Sequence, residues 1–81
     1  MLYKIPLVVA AQKEGGYVVT SPILPELLTE GDTVEEAMEN VRDALDAVVE
    51  LYEDLGKPLP NAIQVTDVAN PVWLETLVAT P

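Results

Sequence analysis

The 81-residue chain carries 14 Asp and Glu against 4 Lys and Arg, a formal charge of −10, and contains neither His nor Cys. Four scattered cations cannot form the patch that phosphates require, so direct binding to nucleic acid is not expected, nor docking on an anionic membrane surface. The missing Cys and His exclude a disulfide framework, a thiol nucleophile, the commonest general base and the commonest transition-metal ligand.

The length suits one domain, spanning 1–81, with one modest core. An apolar fraction of 49% separates it from a disordered acidic tail. With one Trp, three Tyr and no Phe, aliphatic side chains must fill that core. No apolar run approaches the roughly 20 residues of a membrane span. The apolar start runs into Gln12-Lys13-Glu14-Gly15-Gly16, a turn and not a cleavage site, so a soluble cytoplasmic domain is expected.

Residues 2–11 predict a strand with Tyr3, Ile5, Leu7 and Val9 on one face. Pro6 cannot donate to a ladder, which places this strand at an edge or turns the residue 6 nitrogen away from a neighbour. Gly15-Gly16 supplies a hairpin turn into a second strand at residues 17–21. Pro22 and Pro25 then break the ladder, and a short third strand is expected around residues 27–30, ended by Gly31.

The helix is the strongest pattern in the chain. Thr33 followed by Glu36 is a capping box, in which the hydroxyl accepts a backbone N–H and the carboxylate reaches back. Apolar residues from Val34 to Leu55 recur at three- and four-residue intervals and fill an arc of roughly 160°. Gly56 and Pro58 close the helix, giving a span of about 34–55. After Pro58-Leu59-Pro60, two apolar pieces follow, at 62–65 and 72–79. The second, with Trp73, is taken as the main fourth strand. The order βββαβ predicts an α+β fold: a small, mainly antiparallel sheet covered on one face by one long amphipathic helix.

Catalysis is tested by subtraction. Ser21 is the only serine, it precedes Pro22, and no His can activate it. Glu30-Gly31-Asp32 could in principle hold a cation, but a turn leading into a helix cap accounts for it without one. Neither catalytic nor metal-binding residues, nor any cofactor, are therefore assigned, and an enzyme is not expected.

The acidic helix face is more informative. Glu35, Glu39, Asp43, Asp46, Glu50, Glu53 and Asp54 line it, with Arg42 the only cation, and the first five are the candidate partner contacts. Their like-charged i,i+4 pairs cost roughly 0.2–0.5 kcal/mol each. A solvated, solubilising face is one reading; a surface complementary to a basic protein is the other. The segment at 21–28 also has two readings. Ile23, Leu24, Leu27 and Leu28 either plug the sheet edge or form an exposed apolar docking loop. Ile23, Leu24 and Leu27, together with Trp73, are the candidate partner or oligomer contacts at the loop and strand edges.

Several of these residues fall in a familiar order. Gly16-Tyr17-Val18-Val19, Pro22-Ile23-Leu24-Pro25, the run from Thr29 to Ala37, Asn40-Val41, Ala44-Leu45 and Gly56-Lys57-Pro58-Leu59-Pro60 together resemble the HicB-like antitoxin family (UPF0150-type). The resemblance covers about residues 3–60 and implies a partial ribonuclease-H-like fold without nuclease chemistry. It further implies self-association, as a homodimer or homotetramer, and occlusion of a small basic HicA-type mRNA-cleaving toxin. The alternative is an orphan homo-oligomeric binding or structural module of the same fold. Where the family often has Gly-Cys after the second loop proline, this chain has Glu26-Leu27. Longer members carry a C-terminal DNA-binding domain; the sequence ends at Pro81 without one, so operator binding is not expected of it.

Overall fold

A computed structural model describes residues 2–65, 71, 73, 75–78 and 80. Three strands, β1 (Val8–Ala11), β2 (Tyr17–Thr20) and β3 (Leu28–Gly31), form an antiparallel sheet in the order β1-β2-β3. The helix α1 (Val34–Asp54) crosses one face, packed over β3 and β2. This is the small α+β sheet-and-helix arrangement that the pattern of periods predicts.

The first hairpin closes through Gln12, whose N–H donates to the Gly16 carbonyl at 2.9 Å while its own carbonyl accepts from Gly15 at 3.1 Å. Gly15 and Gly16 sit at φ +102° and +80°, a region costly to residues with a Cβ. From there the register runs to Val8 opposite Thr20, and stops. The next hydrogen-bonded pair, two residues on, would set Pro6 against Pro22, two residues without an N–H, so neither side can continue the pairing. The strand expected over residues 2–11 is therefore shortened to four residues. Its alternation nevertheless persists upstream, with Tyr3, Ile5, Leu7 and Val9 half-buried and their neighbours exposed.

Helix α1 begins and ends where its signals stand. The Thr33 hydroxyl accepts the Glu36 N–H at 3.1 Å. At the other end Gly56 takes φ +62°; its N–H donates to the Glu53 carbonyl at 3.1 Å, and the Lys57 N–H donates to the Tyr52 carbonyl at 2.9 Å. That pair of bonds is a Schellman motif, satisfying two carbonyls the helix would leave open. Ala37, Val41, Val48 and Tyr52 form its buried stripe.

Beyond the helix the chain returns beside its own start. A single 3-10 turn, Asn61–Ile63, drops Ile63 into the core, and Gln64 makes an isolated antiparallel bridge with Tyr3. The shorter piece, at 62–65, thus lies next to the N-terminal segment. Of the strand expected at 72–79, Trp73, Glu75, Thr76, Leu77 and Val78 are exposed and belong to no strand, while residues 72, 74 and 79 lie outside the described residues. Two backbone bonds hold the 62–65 piece there: the Lys4 N–H donates to the Ile63 carbonyl and the Val65 N–H to the Leu2 carbonyl.

Two small clusters make the core. Val19, Ala37 and Val41 lie between the sheet and the first half of α1; Leu24, Leu27, Val48, Tyr52 and Ile63 lie under its second half. Leu7 packs against both and joins them. The opposite sheet face has no second layer among the described residues. It presents Val8, Ala10, Val18, Thr20 and Leu28 in cross-strand rows, Leu28 65% exposed.

Candidate binding surfaces

The acidic stripe is an outcome of helix period. At about 100° per residue, Glu35, Asp46, Glu39, Glu50 and Asp43 fall within an arc of roughly 80°, centred opposite the Val41 and Val48 stripe. All five are exposed. Among the described residues none of them takes part in an ion pair, and the one recorded pair, Lys57 with Glu26, lies past the helix end. The stripe is therefore a band of exposed negative charge on the side facing away from the sheet, with Arg42 the one cation at its margin.

The loop at 21–28 corrects one expectation. Leu24 is 0% exposed and Leu27 1%, and Ile23 packs half-buried beside them. These residues plug the core under α1 and are not free contact residues on this chain. The inward fold of the loop comes from Ser21, whose buried hydroxyl accepts the N–H groups of Ile23 and Leu24, each at 3.3 Å. The Leu27 N–H then donates to the Leu24 carbonyl at 3.0 Å. A serine considered as a nucleophile is in fact satisfied by holding a turn. Trp73, by contrast, stays 84% exposed.

A latch not foreseen from the sequence holds this loop to the helix. The Tyr52 hydroxyl donates to Glu26 Oε2 at 2.8 Å, Lys57 Nζ lies 4.0 Å from Glu26 Oε1, and the same ammonium sits 4.8 Å from the Tyr52 ring centroid. Two signals pointed to it. A tyrosine on the apolar arc needs a partner for its hydroxyl, and Glu26 is the one acid in an otherwise apolar loop. The bond from Tyr52, then the Glu26 backbone amide and Lys57, hold the Glu26 carboxyl below its ordinary 4.5, against the opposing effect of burial. The same bond, with burial and the Glu26 charge, raises the Tyr52 hydroxyl above its ordinary 10.0.

The signs of these shifts make a prediction. A lowered carboxyl stabilises the fold above pH 4.5 and loses that contribution as pH falls through its folded value. A raised phenol stabilises below pH 10.0 and loses it as pH rises through its folded value. Tyr52→Phe should therefore melt lower than the parent chain between those limits, with the gap closing on both the acid and alkaline sides. A gap independent of pH in paired melting curves would rule the bond out in solution.

Glu30 and Asp32, the pair considered for a cation, line a shallow polar pocket of about 300 Å³ with Gln12, Gly16, Gly31, Glu36 and Asn40. Among the described residues no three acidic side chains converge to hold a metal ion. The pocket's best-defined bond is structural: Asn40 Nδ2 donates to the Glu30 carbonyl at 2.8 Å and ties α1 to β3. No described helix is long and apolar enough to cross a membrane.

The chain thus combines a small sheet, one covering helix, an exposed acidic stripe and an open sheet face. Residues 5–80 match the model of the HicB_like antitoxin of bacterial toxin-antitoxin systems, and the chain belongs to that family. It is 47% identical over 62 residues to Antitoxin HicB 1 of Photorhabdus laumondii, covering 74% of this chain and 40% of that protein. It is 38% identical over 66 residues to Antitoxin HicB of Escherichia coli K12, covering 79% of this chain and 48% of that one. The chain thus spans about half the length of these two curated relatives. A third relative, the UPF0150 protein Ta0767 of Thermoplasma acidophilum, is 32% identical over 65 residues, which cover 78% of this chain and 94% of that protein.

Proposed function

We propose that this chain is a cytoplasmic antitoxin domain that binds a small basic ribonuclease toxin of the HicA type and silences it by covering its active surface. It does so without catalysis of its own, without a cofactor, and without touching nucleic acid directly. The domain self-associates, as a homodimer or homotetramer. The observation that carries the reading is the acidic stripe: Glu35, Glu39, Asp43, Asp46 and Glu50 stand exposed, with no ion-pair partner among the described residues, on one helix of a chain that belongs to an antitoxin family. Such a field raises the encounter rate with a basic partner and selects against acidic ones.

Charge reversal tests it. In stopped-flow mixing with the toxin, the double variant Asp43→Lys/Asp46→Lys should associate about tenfold more slowly at low salt and show a weaker dependence on ionic strength. Both side chains are exposed, so the fold should be unaffected. Unchanged association kinetics and salt dependence would remove the stripe from the interface. The second reading, an orphan oligomeric module, draws on the open sheet face at Val8, Val18 and Leu28, which a second copy would cover without any toxin. A small basic open reading frame beside this one separates the two.

A further inference from the structure

We draw no further inference here: the strongest candidate, the apolar groove that runs between Ile5, Leu7 and Val9 of the N-terminal segment and the exposed Trp73 and Leu77 of the same chain, carries nothing, because nothing among the described residues shows what covers it.

Discussion

Gly31→Val is expected to prevent folding, and Gly31→Ala to lower stability by about 3 kcal/mol, the upper end of typical overpacking costs. A Cβ at Gly31 would run into the backbone nitrogen of Ala37, and would lie 2.8 Å from its Cα and 2.9 Å from the Glu36 carbonyl carbon. These are backbone atoms of the first turns of α1, fixed by the Thr33 cap and by the bond from Asn40 to Glu30. They cannot rotate aside as a side chain would, so the whole helix must lift from β3. Lifting it would open the contacts of Val19 with Ala37 and Val41. Gly15→Ala is the control. It meets nothing within 4 Å but requires φ +102°, so it should cost only about 1–2 kcal/mol from left-handed backbone strain. Urea titrations followed by far-ultraviolet circular dichroism measure both. Equal midpoints for Gly31→Ala and the parent chain would show that α1 does not press on β3 in this way.

The second large effect is expected at Leu24. Removing a fully buried leucine typically costs 2–5 kcal/mol through lost transfer energy and the cavity left behind. Leu24 touches the cluster of Leu27, Val48, Tyr52 and Ile63, which a domain this small has no second core to replace. Leu24→Ala should therefore approach the limit of stability, since small domains have only several kcal/mol in all. Leu28→Ala, four residues on and 65% exposed on the open face, should change stability by about 0.5 kcal/mol or less. Thermal melts of the two variants decide whether the loop is a plug. A neutral Leu24→Ala would mean that the loop leaves the core in solution.

The helix and its ends were legible in the sequence because every determinant is local: a capping box, an i,i+3/i+4 stripe and a Gly in a left-handed C′ position. The hairpin was legible for the same reason. Non-local determinants were hidden. The length of β1 depends on Pro6 and Pro22 meeting across a register, and neither proline alone reveals the other. The loop at 21–28 was ambiguous because two apolar pairs, Ile23-Leu24 and Leu27-Leu28, each shortly after a proline, have no period to show which way they face. Ser21, through two backbone bonds, resolves it. The latch of Tyr52, Glu26 and Lys57 joins positions 26 residues apart, where only the chemical needs of a buried hydroxyl gave a hint. The acidic stripe was fully legible as geometry, since helix period alone places it opposite the core. Its use depends on a partner that the chain does not encode.

The most direct test of the antitoxin reading begins with the tagged full chain expressed in its native cells, captured, and analysed by mass spectrometry. The expected result is a stoichiometric small basic protein. Its RNA cleavage should be absent in the complex and return when the two are separated in high salt, where screening weakens the attraction to the acidic stripe. Recovery of only this chain's own copies, or of a partner whose ribonuclease activity the chain leaves unchanged, would contradict the antitoxin reading.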